Sequence, residues 1–299
     1  MAGPVRVTSG RARQRRLRYR PPLAMAPLTR FLGDRAIPGV ESFDGISFRR
    51  SIRTEEGAPA VLVLTPARAG DHVALRIHSG DASRPNDATE AARRLLDLDA
   101  DPAAIDGVLA SDPALRPLVR ATPGIRRPGA VDGFEMAVRA VLGQQVSVRA
   151  ARTFAGRIAT TAGTRLGEPV GDVTHLFPTP DQMIEADLRA VGLTGARAAT
   201  VWRLSELVAT GRLDLSATAD RRETVEALLA VPGIGGWTAS YVAMRALRDG
   251  DAFPVEDLGV RLGFEALGLP ATPAAIRDRA ERWRPWRAYA VMHLWHADR

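Results

Sequence analysis

The chain of 299 residues contains no cysteine, which excludes disulfides, thiolate zinc sites, iron–sulfur clusters and cysteine nucleophiles. It contains no lysine either, so all 41 basic side chains are arginines. Every Schiff-base mechanism that starts from a lysine amine is closed to it. Histidine is scarce, with five in all: His72 and His78 fall in a strand-like stretch, His293 and His296 in a helix-like one, and none has metal-ligand spacing. No run of eighteen apolar residues occurs, and the N-terminal arginines are not followed by the apolar stretch of a signal peptide. These absences predict a cytoplasmic protein without membrane partners, whose chemistry is left to carboxylates, hydroxyls, amides and backbone.

What is present is an ordinary globular composition with 45% hydrophobic residues, a formal net charge of +7 and a pI near 10.9. The excess of positive charge suits a polyanion, although a preference for arginine over lysine also follows from genome composition.

The chain divides by pattern. Residues 1–16 form an arginine-rich leader, expected to be disordered. Residues 17–86 read as a small mixed α/β domain, with a helix over Pro27–Arg35 and strands over Gly45–Ile52, Ala60–Thr65 and Val73–His78, the last alternating as Val73, Leu75 and Ile77. After Ser79-Gly80 the rest reads as helices. Thr179-Pro180 and Thr272-Pro273 pair a capping residue with a first-turn proline, and Gly192, Gly211, Gly250 and Gly268 stand where helices should stop. The expected helices cover 87–98, 102–110, 113–121, 133–162 with a break near Gly143, 181–191, 197–210, 222–230, 236–248, 257–267, 273–283 and 286–296. The fold class is therefore α+β, with an antiparallel N-terminal domain followed by two helical domains, one of residues 87–131 with 250–299 and the other of residues 132–249.

One helical turn stands out. Leu228-Leu229-Ala230-Val231-Pro232-Gly233-Ile234-Gly235-Gly236-Trp237-Thr238-Ala239 is helix, glycine turn, helix. Glycines permit backbone conformations closed to other residues and let another backbone approach. The free N–H groups and the positive dipole end of the second helix suit a phosphate. A bare glycine corner between helices would satisfy the same pattern, but Pro-Gly-Ile-Gly followed by Thr-Ala resembles the helix-hairpin-helix of DNA repair proteins. That resemblance implies DNA-backbone contacts from Gly233, Ile234, Gly235, Gly236 and Thr238. It also implies a structural Na⁺ or K⁺ ion on the main-chain carbonyls of Leu229, Val231 and Ile234, with no other cofactor required.

Twenty residues after Trp237 stands Asp257, at a helix start. Alone it would read as an N-cap; behind this hairpin it resembles the catalytic aspartate of the helix-hairpin-helix glycosylases. Asp251 and Glu256 are neighbouring carboxylates that fit the position less well. Six of the eight Trp and Tyr residues fall between 237 and 295. Trp283, Trp286 and Tyr289 read as core, whereas Trp237, Tyr241 and Trp295 read as walls of a base pocket, the first two sharing a helix face.

Together with Val141-Leu142-Gly143-Gln144-Gln145-Val146-Ser147-Val148 and Trp283-Arg284-Pro285-Trp286 through Trp295, these segments resemble AlkA-type 3-methyladenine DNA glycosylase II over residues 17–299. The resemblance implies a cleft between the helical domains and a monomer acting on double-stranded DNA that carries alkylated bases. Asp257 would be its catalytic carboxylate, Trp237, Tyr241 and Trp295 its aromatic walls, and Gln144 a polar group beside the pocket. Gln145 would stand where relatives place an apolar wedge. Such an enzyme flips the nucleotide out of the duplex, holds a cationic purine against aromatic faces and stabilises charge developing on the sugar with a carboxylate. Strand-nicking relatives place a lysine where this chain has Trp237, and a lysine-based lyase step is impossible here. Two other readings stay open: a non-catalytic DNA-binding or damage-recognition protein, and the same fold acting on uracil, hypoxanthine or ethenoadenine.

Overall fold

The computed structural model describes residues 13–54, 56–79 and 85–297. The chain opens with β1 (Arg13–Arg18), α1 (Met25–Asp34), β2 (Glu41–Phe43), β3 (Phe48–Arg53), β4 (Pro59–Pro66) and β5 (His72–Ser79). The strands form one antiparallel sheet in the order β1-β5-β4-β3-β2. Val73, Leu75 and Ile77 of β5 point to one face, as their alternation predicts, and pack with Leu62 and Leu64 of central β4. Val61, next to Leu62 in the strand, points to the other face, where Leu166, Val173 and Leu176 cover it. A strand buried on both faces needs the continuous apolar run seen at residues 60–64.

Two expectations about this domain are corrected. Arg13–Arg16, assigned to the disordered leader, belong to β1, which pairs with β5 from Arg13 opposite Ile77 to Arg18 opposite His72. Only Leu17 of that strand is buried. An edge strand needs little more than backbone partners, and outward arginines discourage further pairing along its free side. Residues 1–12 of the leader lie outside the described residues. The second correction concerns α2 (Pro85–Leu96), which was grouped with the helical part from residue 87. Its Ala88, Ala91, Ala92, Leu95 and Leu96 are buried in the same core as the sheet, because the small side chains let the helix lie close on the strands.

Helices follow: α3 (Pro102–Leu109), α4 (Arg116–Ala121), α5 (Gly133–Leu142) and α6 (Val148–Ala162). The expected 133–162 helix breaks after Leu142. Gly143 ends α5 and the Ser147 hydroxyl caps α6 by accepting from Ala150 N–H, while Gln145 between them sits at φ +53. The expectation of helices only is overturned next by a two-stranded hairpin, β6 (Thr164–Val170) and β7 (Val173–Leu176). It docks on β3, where Ser51 Oγ donates to the His175 carbonyl at 2.6 Å.

The remaining elements are α7 (Pro180–Glu185), α8 (Gly195–Ala209), α9 (Arg221–Leu229), α10 (Gly236–Arg245), α11 (Leu258–Ala266), α12 (Pro273–Ala280), a 3₁₀ turn over Glu281–Trp283 and α13 (Arg287–Ala297). Thr179 and Gln182 form the capping box of α7, and Thr272 caps α12. The former helix is shorter than its expected span, ending at Glu185.

The helices enclose two cores, and α10 divides them. Its Ala239 and Val242, with Ala246 just past its end, pack with α5, α6, α8 and α9, while its Ala243 and Met244 pack with α3, α4, α11 and α13. Trp283 and Tyr289 are buried in the second core, as expected, with their polar atoms satisfied. Trp283 Nε1 donates to Asp112 Oδ2 at 2.8 Å and Tyr289 Oη donates to Asp97 Oδ2 at 2.7 Å. Trp286 is half-buried against the same core.

Candidate active site

Asp257 is the N-cap of α11, and its Oδ1 accepts from Val260 N–H at 3.0 Å. The capping reading is therefore correct, and it is half of the arrangement. The same Oδ1 accepts from Trp295 Nε1 at 2.7 Å, and Oδ2 accepts from Trp237 Nε1 at 2.7 Å. Two indoles and one backbone amide thus fix a carboxylate that is only 8% exposed. Gly259 makes the approach possible. A Cβ there would lie 2.5 Å from Trp295 Cδ1, 2.8 Å from its Nε1 and 3.1 Å from Asp257 Oδ1. A glycine in a first helical turn costs about 1 kcal/mol relative to alanine, a cost that signals such a constraint.

These residues line a cleft of about 1220 Å³ that also borders Gln144, Gln145, Gly233, Gly235, Gly236 and Leu258. Trp237 stacks on Tyr241 with centroids 5.4 Å apart and planes 18° apart, and Tyr241 lies 6.4 Å from Trp295 at a tilt of 37°. The three aromatics singled out in the sequence therefore meet around Asp257.

Arg35 and Ile37 of the N-terminal domain also line the cleft, and the aromatic wall is backed from that domain; the sequence reading missed both. Phe31 of α1 stacks on Trp295 at 5.8 Å with planes 7° apart. The Arg35 guanidinium lies 3.9 Å from the Phe31 centroid and 5.9 Å from that of Trp295. Nothing near residue 31 points to a partner more than 260 positions away. Arg245 was missed too, although an arginine inside Val242-Ala243-Met244-Arg245-Ala246-Leu247 is conspicuous. It is 3% exposed and donates to the carbonyls of Pro128 and Gly129 and, at 2.7 Å, to Tyr241 Oη. Burial lowers its guanidinium to about 10, despite an opposing pull from Tyr241.

A buried ion cluster braces this wall. Arg50 of β3 pairs with Glu41 at 2.8 Å and Glu135 at 2.6 Å, and Arg139 of α5 pairs with both carboxylates. Arg139 Nη2 also donates to the Arg35 carbonyl at 2.7 Å, which ties the cluster to the pocket rim. Burial alone would raise the Glu41 carboxyl, but Arg139 and Arg50 hold it below its ordinary value.

The hairpin has the expected form, with three refinements. Gly233 adopts φ +89, and a Cβ there would meet Thr200 Oγ1 at 2.2 Å, so only glycine fits. Gly235, by contrast, has φ −101 and open space around it; conformation does not require glycine there. It is the N-cap of α10 without a side-chain cap, so the first amides of that helix face outward past Gly235 and Gly236. Ile234 and Thr238, both expected to contact DNA, have buried side chains, which leaves that contact to their main chain. Thr238 Oγ1 accepts from Gln144 Nε2 at 2.9 Å, and the same amide donates to the Gly233 carbonyl at 2.8 Å. Gln144 therefore lines the cleft while its amide braces the hairpin. Gln145 is exposed, and its left-handed φ is strained for a non-glycine residue. The Val231 carbonyl accepts from Ile234 N–H at 3.0 Å within the turn, which leaves its second lone pair for another partner.

Among the described residues no helix is long and apolar enough to cross a membrane, and no cluster of acidic or histidine side chains is arranged to hold a metal ion.

Residues 14–132 match the AlkA N-terminal domain family. The chain is 44% identical over 280 residues to a probable bifunctional transcriptional activator/DNA repair enzyme AlkA of Mycobacterium tuberculosis, covering 94% of this chain and 56% of that one. It thus spans little more than half the length of that relative. It is 34% identical over 285 residues to DNA-3-methyladenine glycosylase 2 of Escherichia coli, covering 94% of this chain and 96% of that one. A solved 3-methyladenine DNA-glycosylase from Archaeoglobus fulgidus shares the fold with a TM-score of 0.81 at 24% identity, over 95% of this chain and 98% of that one. The end-to-end match to the Escherichia coli protein, with the N-terminal domain match, shows that this chain belongs to the AlkA family of DNA-3-methyladenine glycosylases.

Proposed function

We propose that the protein is a monofunctional DNA glycosylase that hydrolyses the N-glycosidic bond of alkylated purines, 3-methyladenine and 7-methylguanine, in double-stranded DNA during base excision repair. The observation that carries the reading is the Asp257 carboxylate, held by Trp237, Trp295 and Val260 N–H on the wall of an aromatic cleft. Capping α11 needs only the bond to Val260 N–H; the two indole donors turned onto the same carboxylate favour catalysis over DNA binding alone.

The uncapped N-terminus of α10 presents backbone amides and a positive dipole end to a phosphate. Arg152 and Arg197 extend the positive charge along the cleft. The carbonyls of Leu229, at the end of α9, and of Val231 and Ile234, in the turn after it, are hard oxygen donors that suit a Na⁺ or K⁺ ion, which would offset phosphate charge on the turn. Extrusion of the damaged nucleotide costs a few kcal/mol, less for a base that pairs badly. An extruded ring then meets the faces of Trp237, Tyr241 and Trp295, where a cationic purine gains about 0.5–2 kcal/mol per good contact. Alkylation at N3 or N7 makes the purine a cation and hence a good leaving group, so little general-acid help is needed. As the glycosidic bond lengthens, positive charge grows on the sugar, and Asp257 stabilises it and orients the attacking water. The bond breaks with its electron pair on the base, which leaves neutral, and water adds its hydroxyl at C1′ while its proton passes to the Asp257 carboxylate and on to solvent.

No strand scission follows from a lysine amine, because the chain has none and Trp237 fills the place such an amine would take. Incubation with methylated duplex DNA, followed by mass spectrometry of the small-molecule fraction, tests the proposal. Free 3-methyladenine and 7-methylguanine with an intact strand are expected; tight binding without free base would leave a DNA-binding protein instead.

A further inference from the structure

Leu258 follows the catalytic carboxylate directly and is 58% exposed at the mouth of the cleft. It is the first residue of α11, a position where proline or an acidic residue serves the helix better than leucine. None of the apolar cores formed by the described residues includes it. Isolated exposed leucines are common on protein surfaces, but this one borders the cleft directly beside Asp257. Its Cα is about 3.8 Å from that of Asp257. The turn beneath it is pinned by Asp257 Oδ1 on Val260 N–H and by Gly259 packed against Trp295. On the opposite rim, formed by the loop between α5 and α6 and the start of α6, Gln145 is polar and Val148 is 43% exposed, so of the exposed apolar side chains that border the cleft Leu258 is the one beside the carboxylate.

From these relations we infer that Leu258 is a positioning residue, an apolar stop beside the reacting sugar against which the extruded nucleotide rests. The inference rests on the glycosylase reading of the cleft. A carboxylate that stabilises C1′ must lie beside it, and the side chain one residue on, fixed by the same turn, then meets the deoxyribose or the edge of the base. Contact buries the leucine and favours the extruded nucleotide over the stacked one. The leucine takes no part in bond breaking, and its effect acts through the flipping equilibrium.

The test uses the full chain, its Leu258→Ser and Leu258→Met variants, and duplexes with a single 7-methylguanine opposite either cytosine or an abasic analogue. A 2-aminopurine beside the lesion reports unstacking without any chemistry. Leu258→Ser is expected to slow single-turnover base release from the paired duplex roughly five- to twentyfold and to cut the 2-aminopurine rise, whereas Met restores both to within about twofold. The deficit should shrink opposite the abasic analogue, where extrusion is cheaper, and affinity for undamaged duplex should not change. An equal loss in both contexts would overturn the inference, as would unchanged release with unchanged fluorescence. If the wild type unstacks the neighbour but frees no base, the glycosylase reading fails, and the fluorescence of the Ser and Met variants still decides the role of Leu258.

Discussion

Trp237 and Asp257, twenty residues apart in sequence, meet through a 2.7 Å hydrogen bond from the indole Nε1 to Oδ2. The bond joins the second helix of the hairpin to the first turn of α11, so the element suited to DNA and the carboxylate are one rigid unit. Trp237 also stacks on Tyr241, and a Phe substitution separates its two jobs. Trp237→Phe should keep the stack while removing the donor, and a hydrogen bond to a charged group is worth about 1.5–3 kcal/mol. Single-turnover base release should fall roughly 10- to 100-fold with DNA affinity little changed; a wild-type rate would show that the indole N–H contributes nothing.

Asp257→Asn should fold, because asparagine caps a helix as well as aspartate does. It removes the negative charge and sets an amide N–H against one of two indole donors. Base release should drop by at least about 10²-fold, and binding to methylated duplex, followed by fluorescence anisotropy, should persist. Release at the wild-type rate would point to exposed Glu256, the other carboxylate that borders the cleft.

Gly259→Ala sets helix propensity against the site. Alanine favours α11 by up to about 1 kcal/mol, yet its Cβ would sit 2.5 Å from Trp295 Cδ1 and push the indole off Asp257. Activity should fall while thermal stability stays within a few degrees of wild type. A variant as active as the parent would mean that Trp295 need not hold the carboxylate.

How far the sequence shows this site depends on how local its determinants are. Hairpin, carboxylate and the Trp237–Tyr241 face all lie within Leu228–Asp257, where spacing along the chain constrains spacing in space. Arg35 lines the cleft and Phe31 backs Trp295 from the far end of the chain, and no short-range pattern announces them. The β6–β7 hairpin was hidden for a related reason: Thr164–Leu176 holds few apolar residues, and its Leu166, Val173 and Leu176 make sense only once Val61 of the sheet is their partner. Strand β1 carries one buried residue, so its pairing is decided by the exposed edge of β5 rather than by its own pattern.

Arg139 offers a stability test that also bears on the pocket. It pairs with the buried Glu41 and Glu135 and holds the Arg35 carbonyl. Arg139→Met would leave two buried carboxylates with Arg50 as their remaining cation, and breaking such a cluster costs about 3–5 kcal/mol. The midpoint of urea unfolding should move down accordingly. An unchanged midpoint would show that water enters the cluster and carries the charge.

His293 predicts where acid begins to unfold the protein. It lies on α13 two residues before Trp295, is 2% exposed, and its Nε2 has no hydrogen-bond partner. Burial, with His296 as a smaller contributor, lowers its imidazole to about 4 from an ordinary 6.5. The unfolded chain therefore binds a proton at this residue between those values, while the folded chain does not. Stability from keeping His293 neutral is complete above pH 6.5 and is lost as pH falls towards 4, by at most about 3 kcal/mol. Urea midpoints measured from pH 7.5 to 4.5 should decline for the wild type, and His293→Leu should flatten the decline between pH 6.5 and 4.5. If the two curves stay parallel throughout that window, other groups cause the acid loss, with the Glu41 cluster the next to test because its depressed carboxyl weakens the fold at lower pH.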